Sequence, residues 1–81
     1  MMAVVTVLYF ASLRDASGLA SEQVQSDAAD LQALYVEMQA RHGFALPADR
    51  LRVAMNGDFA GWGDGLREGS EIAFIPPVSG G

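Results

Sequence analysis

The sequence predicts an α+β domain in which about five strands pack on one main helix. The chain opens with a nearly unbroken apolar run, AVVTVLYF, which is typical of a strand. A stripe of apolar residues at helical spacing follows, and the turn dipeptide Asn56-Gly57 later joins two strand-like segments. A chain of 81 residues is long enough for one such domain with a small core. One helix can cover only one face of the sheet, so we expect the other face to be open.

The first strand is predicted from Ala3 to Phe10. Because both of its alternating faces are apolar, we expect an interior strand covered on both sides. One face should carry Val5, Val7 and Tyr9, and the other Val4, Thr6, Leu8 and Phe10. Residues 11–18 (ASLRDASG) predict a short helical turn closed by a glycine. Residues 21–26 (SEQVQS) predict a polar edge strand that pairs with the first.

The clearest helix carries its apolar residues at i, i+3, i+4 and i+7, namely Leu31, Leu34, Tyr35 and Met38. Asp27 or Asp30 can cap its start, and Gly43 can end it. Glu37 precedes Arg41 by four residues, the favourable order for an ion pair on a helix. A single histidine, His42, in the last turn of a cysteine-free chain is interpreted as a helix-end residue and not as a metal ligand.

The second half of the chain predicts three strands. Residues 51–55 alternate in polarity and meet the hairpin signal, and Phe59 and Ala60 begin the return strand. Residues 61–69 form a glycine-rich loop that lacks the spacing of a phosphate-binding loop and is followed by no helix. The last strand is predicted over residues 71–75.

An apolar patch is predicted on the face of the sheet that the helix leaves open. Its candidates are Leu8, Phe10, Phe59 and either Phe74 or Ile75. Such a patch usually marks a partner site. The alternative is that loops holding Phe44 or Trp62 cover it.

Composition excludes several classes of function. Ten acidic residues against five arginines give a formal charge of -5, which argues against nucleic-acid binding. No apolar run is long enough to span a membrane and no basic leader is evident, so we expect a cytoplasmic protein without membrane contact. The absence of cysteine removes disulfides, thiolate metal sites and thiol nucleophiles, and we expect no bound metal. Lysine is absent as well.

The end of the sequence, PPVSGG, is the strongest candidate for chemistry. We expect a domain over residues 1–75 and an extended tail over residues 76–81. Pro76 and Pro77 cannot donate to a sheet and favour a stiff, extended segment, and six such residues reach about 20 Å. Glycine has no Cβ, so a Gly80-Gly81 end can enter a narrow channel. The alternative is a frayed terminus.

Four segments together resemble a known family. FASLRDASG after the first strand, DLQAL at the helix start, AMNG and the ending EGSEIAFIPPVSGG are similar to the sulfur-carrier small subunits of molybdopterin synthase. The resemblance covers essentially the whole chain and is most specific at the ending. It implies a β-grasp, ubiquitin-like fold with a mixed sheet.

The resemblance also implies a function. A partner enzyme of the ubiquitin-activating type would use ATP and magnesium to adenylate Gly81, and a sulfur donor protein would convert it to a thiocarboxylate. The tail would enter the large synthase subunit, in a heterotetramer of two small and two large subunits, and deliver sulfur to cyclic pyranopterin monophosphate. The chain would bind no cofactor tightly and would not be an enzyme on its own.

The resemblance assigns roles to particular residues. Gly81 carries the sulfur and Gly80 gives clearance. The residues that position the tail are Pro76, Pro77, Val78 and Ser79. The residues expected at the partner interface are Phe10, Arg14, Phe59 and Ile75.

Three other functions remain open at this point. The chain could carry sulfur for thiamine or another biosynthetic pathway, because the terminal chemistry is the same. It could be a ubiquitin-like modifier conjugated to lysines, or a structural domain with an idle tail.

Overall fold

The computed structural model describes residues 2–77 and confirms the α+β prediction. The five strands are β1 (Ala3–Tyr9), β2 (Ser21–Ser26), β3 (Arg52–Met55), β4 (Asp58–Ala60) and β5 (Glu71–Ile75). The helices are α1 (Ala11–Ser17), α2 (Leu31–His42) and a short 3₁₀ helix (Ala48–Arg50). The five strands and the two α-helices lie where the sequence predicted them, with strand boundaries that differ by at most one residue, whereas the sequence predicted a loop where the 3₁₀ helix lies.

The strands form one mixed sheet in the order β2-β1-β5-β3-β4. β1 and β5 are parallel, whereas the other neighbouring pairs are antiparallel. The first and last strands of the chain are therefore neighbours in the interior of the sheet. As a result, the segment that follows β5 starts between β1 and β3 and not at an outer edge.

The ends of α2 are fixed by local hydrogen bonds. The Asp30 side chain accepts a hydrogen bond from the amide of Ala33 at 2.8 Å, which is an N-cap. Gly43 adopts a left-handed conformation at φ 73° and donates its amide to the carbonyl of Gln39 at 2.8 Å. Between these caps the predicted apolar stripe is fully buried.

The core lies between α2 and one face of the sheet. Val5, Val7 and Tyr9 of β1 point into it, as the alternation predicted. Phe74 is also fully buried, with its ring centroid 5.1 Å from that of Tyr35. Of the two alternatives that the sequence offered for the open face, Phe74 is therefore excluded, because the parallel register with β1 turns its side chain to the helix. Ile75 takes the open side instead.

The first strand is covered on one face only. Val4, Thr6 and Leu8 on the other face are half-buried. The prediction of cover on both sides was wrong, because no helix lies over that face in the described part of the chain. Phe10, predicted as the end of the strand, instead precedes α1 as its N-cap residue.

The predicted ion pair within α2 is replaced by contacts to β2. Glu37 accepts a hydrogen bond from the Ser26 hydroxyl at 2.6 Å, and Arg41 pairs with Glu22 at 3.4 Å. Both side chains thus fasten the helix to the edge strand and do not pair with each other.

The β3–β4 hairpin turns at Asn56-Gly57, as predicted. Both residues have positive φ, 54° and 89°, which is the requirement of the two-residue turn that suits a twisted hairpin. The Asn56 side chain also accepts a hydrogen bond from the amide of Glu71 at 2.9 Å, which ties the turn to β5.

Candidate functional site

A row of apolar side chains crosses the open face of the sheet. The register aligns Leu8 of β1 with Ala73 of β5, Ala73 with Ala54 of β3, and Ala54 with Phe59 of β4. Phe59 at one end is 70% exposed, whereas the two alanines are shielded by their larger neighbours. The open face therefore carries small side chains along its middle and a protruding aromatic ring at Phe59.

Phe10 extends this apolar surface beyond the end of β1. Its side chain is 45% exposed, although it stands next to the buried Tyr9. Ala11 directly after it has φ 50°, a left-handed conformation that is uncommon outside glycine. This turn ends β1 and starts α1, so Phe10 lies at the surface beside the end of the strand. If β1 had continued, Phe10 would instead be part of the sheet.

The two prolines follow β5 at the edge of this face. Pro76 is buried and Pro77 is exposed. Ile75 and both prolines separate two grooves. The first is lined by Asp49, Arg50, Leu51, Arg52 and Phe59 in addition to these three residues, and the second by Phe10, Ala11, Ser12 and Asp15 in addition to them.

The structure brings most of the predicted interface residues together. Phe10 and Ile75 line one groove, and Phe59 and Ile75 line the other, so the three predicted apolar residues surround the start of the tail. Arg14 lies on α1, is exposed, and lines neither groove. Val78, Ser79, Gly80 and Gly81, which the sequence predicts as the rest of the tail, lie outside the described residues.

The loops that could have covered the open face pack on the other side. Phe44 contacts the rings of Tyr9 and Tyr35 at centroid distances of 5.4 and 6.0 Å. Trp62 stacks on the core residue Phe74 at 6.0 Å. Neither aromatic side chain therefore covers Phe59 or Leu8.

Arg52 is a basic residue of this surface that was not among the residues predicted from the sequence. Its guanidinium carbon lies 5.5 Å from the centroid of the Phe59 ring, a cation–π arrangement. The register could have indicated the contact, because Arg52 and Phe59 lie on the same face of neighbouring strands in any hairpin that turns at Asn56-Gly57.

A polar cluster on the core side was also missed. Glu22 on β2 accepts hydrogen bonds from the Tyr9 hydroxyl and contacts Nε2 of His42, each at 2.5 Å. Burial alone would raise the pKa of the Glu22 carboxyl, but the hydrogen bonds of Tyr9 and His42 and the positive charge of Arg41 outweigh it, so the pKa is lowered. Burial and the same hydrogen bond raise the pKa of Tyr9. The cluster connects β1, β2 and α2 and lies away from the two grooves.

Other kinds of site find little support in residues 2–77. No group of three or more histidine, cysteine or acidic side chains there could hold a metal ion. Among the same residues, no helix is both long and apolar enough to cross a membrane. What the site offers is an exposed apolar surface around the base of a proline-led tail.

Comparison with known proteins gives consistent matches over nearly the full chain. Residues 7–81 match the ThiS family. The molybdopterin synthase sulfur carrier subunit of Escherichia coli (strain K12) is 35% identical over 80 residues, which cover 95% of this chain and 99% of that relative.

Two solved structures share the fold. SAMP1 from Haloferax volcanii aligns with a TM-score of 0.81 and 27% identity over 98% of this chain and 100% of its own. The second match is a chain of the protein–protein complex of subunits 1 and 2 of the molybdopterin-converting factor from Helicobacter pylori 26695. That structure aligns with a TM-score of 0.63 and 27% identity over 100% of both chains. The ubiquitin-like β-grasp fold expected from the sequence is confirmed.

Proposed function

The chain belongs to the ThiS family, and on that premise we propose that it is the sulfur carrier subunit of a molybdopterin synthase. The observation that carries this proposal is the position of the proline-led tail. Pro76 and Pro77, which begin the tail, leave the interior of the sheet beside an exposed apolar surface, so a partner that docks on this surface would also meet the start of the tail. The 35% identity to a sulfur carrier subunit over nearly the whole chain supports the same function.

The chemistry is proposed to take place at Gly81. A carboxylate is a poor acyl donor, so an adenylating partner would use ATP and magnesium to form the acyl-adenylate and release pyrophosphate. A sulfur donor protein would then supply sulfur to the acyl carbon, AMP would leave, and a thiocarboxylate would result. This chain has no cysteine, so the sulfur comes from another protein.

The acceptor step is proposed to occur in a large subunit. The complex of subunits 1 and 2 of the Helicobacter pylori molybdopterin-converting factor supports a partner of this kind. We propose a heterotetramer of two small and two large subunits in the cytoplasm, in which the tail delivers sulfur to cyclic pyranopterin monophosphate. Two carriers would be consumed for each dithiolene formed.

Catalytic acids and bases are proposed to lie on the large subunit. This chain contains one histidine and neither lysine nor cysteine. The histidine, His42, contacts Glu22 on the side of the sheet away from the grooves. The chain would then be a carrier and not an enzyme on its own, with Gly80 giving clearance and Pro76 and Pro77 directing the tail.

The proposal is tested by intact-mass spectrometry. The purified chain is incubated with an adenylating enzyme, ATP, magnesium and a sulfur donor, and its mass is compared with that of an untreated sample. We expect a gain that equals the replacement of one oxygen by sulfur, located at Gly81 by fragmentation. No gain, with an enzyme that is active on another carrier, would refute the sulfur-carrier function.

A second candidate is a protein modifier, favoured by the structural likeness to SAMP1, a small archaeal modifier protein by name. The same activated terminus would then be joined to lysines of other proteins. High-mass conjugates of the chain in an extract with ATP would support this function, whereas free thiocarboxylate and co-purification with a large subunit support the carrier. A carrier for thiamine synthesis would instead co-purify with a different acceptor.

A further inference from the structure

The groove between Pro77 and Phe59 differs in charge from the rest of the molecule. It has a volume of about 420 Å³, and its lining includes two arginines, Arg50 at the end of the 3₁₀ helix and Arg52 at the start of β3. A smaller pocket shares Leu51, Arg52 and Phe59 with it and extends it towards Trp62. We call the first of these, between Pro77 and Phe59, the arginine groove.

The two arginines of the groove are available for a partner. Both side chains are exposed. Within residues 2–77 the salt bridges both end on Glu22, which binds Arg41 and His42 on the other side of the sheet. The one acidic residue that lines the groove is Asp49, so the local balance of its charged residues is positive in a chain whose formal charge is -5.

The groove also offers apolar contact. Leu51 is buried beneath it, and Ile75 and the exposed Phe59 form its sides. Arg52 is already placed beside the Phe59 ring. When a partner carboxylate binds this guanidinium, apolar side chains next to it in the partner can pack on the Phe59 ring. Because the ring already holds the Arg52 side chain in place, Arg52 loses less conformational entropy on binding.

The charges at the two ends of the open face are opposite. The end that carries the tail has Arg50 and Arg52 beside Asp49, whereas the opposite end has Glu71, which shares the face of Ala73 and pairs with Thr6. A partner with an acidic segment is attracted to the first end and repelled from the second. Complementary charge of this kind fixes the orientation of docking and speeds encounter.

We propose that the arginine groove receives an extended acidic segment of the large subunit, whose carboxylates pair with Arg50 and Arg52. This inference rests on the proposed function, because that function supplies the partner. The groove shares Pro76 and Pro77 with the base of the tail. A segment bound there would therefore orient the tail as well as hold the domain.

The test uses the absence of lysine from the chain. Arg52→Lys keeps the positive charge and places the chain's only side-chain amine in the groove. In the complex with the cognate large subunit, a carbodiimide converts carboxylates to O-acylisoureas. An amine in direct contact attacks the acyl carbon, forms an amide and releases the carbodiimide as a urea. Peptide mass spectrometry then identifies the carboxylate that lay beside residue 52. Arg67→Lys is the matched control, because Arg67 is exposed and lies in the turn before β5.

We expect cross-links from position 52 to aspartates or glutamates within one segment of the large subunit, and far fewer from position 67. A cross-link to the Gly81 carboxyl would mean that the chain's own tail occupies the groove, and one to a second carrier would indicate a dimer surface. Either result, or equal cross-linking at both positions, overturns the inference. The sulfur gain at Gly81 is measured on the same variants, so loss of cross-linking with normal sulfur loading refutes the groove and not the carrier function.

An affinity measurement provides a second test. Arg50→Gln with Arg52→Gln should weaken binding to the large subunit at least about tenfold at about 50 mM salt and reduce its salt dependence, because exposed charges are screened over about 10 Å at 0.1 M. Arg67→Gln should change the affinity less than about twofold. Equal affinities for the double variant and the wild type would contradict the proposal.

Discussion

The Tyr9 hydroxyl donates a hydrogen bond of 2.5 Å to the carboxylate of Glu22, across the β1–β2 pair. The same carboxylate oxygen contacts Nε2 of His42 at the end of α2. One acidic side chain thus connects β1, β2 and α2. Because the ionised carboxylate accepts these bonds, the stability of the domain should depend on its charge.

Acid should destabilise the domain through Glu22. Its pKa in the folded state lies below the ordinary value near 4.5, so the ionised form stabilises the fold above about pH 4.5 and this contribution is lost as the pH falls through the folded-state pKa. We expect Glu22→Gln to lower the free energy of unfolding at about pH 7 and to make it less sensitive to acid below about pH 4.5. Urea unfolding at several pH values measures both effects. The exposed Glu71→Gln is the control, and an identical acid profile in the two variants would contradict the role of Glu22.

Removal of the Tyr9 hydroxyl should also be costly. Tyr9→Phe keeps the ring in the core but leaves a charged acceptor with one donor fewer, and we expect a loss of about 1–3 kcal/mol. Thermal or urea unfolding at neutral pH measures the loss. An unchanged stability would mean that water replaces the hydroxyl without cost.

An arginine at Phe10 should weaken the complex with the large subunit. Phe10 is 45% exposed, so Phe10→Arg should leave the domain folded while it places a charge in the apolar interface. Val36→Arg is the control, because Val36 is 54% exposed on α2, on the other side of the sheet. Calorimetric titration should show a loss of at least about tenfold for the first variant and little change for the second. Equal affinities would place the docking surface elsewhere.

Glycine at position 11 should stabilise the domain. Ala11 has φ 50°, and left-handed backbone costs a residue with a Cβ roughly 1 kcal/mol. Ala11→Gly removes that cost, so we expect a gain of up to about 1 kcal/mol in the free energy of unfolding. Ala16→Gly in the same helix has no such strain and should lose about 0.5–1 kcal/mol. A loss of stability in both variants would show that the backbone at position 11 is not strained.

A methyl group on the last residue should impair sulfur transfer without changing the stability of the domain. Gly81→Ala leaves the domain untouched, so its unfolding curve should match that of the wild type. The added Cβ should obstruct passage into a narrow channel, and we expect sulfur transfer to fall sharply. Single-turnover assays with a large subunit measure the transfer. Normal transfer in this variant would contradict the assigned role of the terminus.

Local patterns predicted the elements of this fold well because each depends on near neighbours in sequence. The apolar stripe of α2, the glycine cap at Gly43 and the turn at Asn56-Gly57 all follow from spacing over a few residues. Phe74 was ambiguous for the opposite reason. Which face its side chain takes depends on the parallel register with β1, which pairs Tyr9 with Phe74 and which no local pattern specifies.

Some residues of the candidate site could also be predicted from the sequence, whereas others depend on contacts between elements. Phe10 and Phe59 could be predicted as surface residues because one helix covers only one face of the sheet and both residues were assigned to the other face. The contact of Arg52 with Phe59 requires the hairpin register, and the cluster at Glu22 requires the packing of α2 on β2. Glu37 and Arg41 illustrate the limit of helix spacing, since both find better partners on the neighbouring strand.

The parallel pairing of β1 with β5 has a mechanical consequence. A force that pulls the tail outward along β5, while the rest of the domain is held, acts along the strands and not across them. The paired residues from Thr6–Glu71 to Tyr9–Phe74 then resist in shear, so their hydrogen bonds must break together and not one after another. The domain can therefore bear tension that is applied along β5 through Pro76 and Pro77.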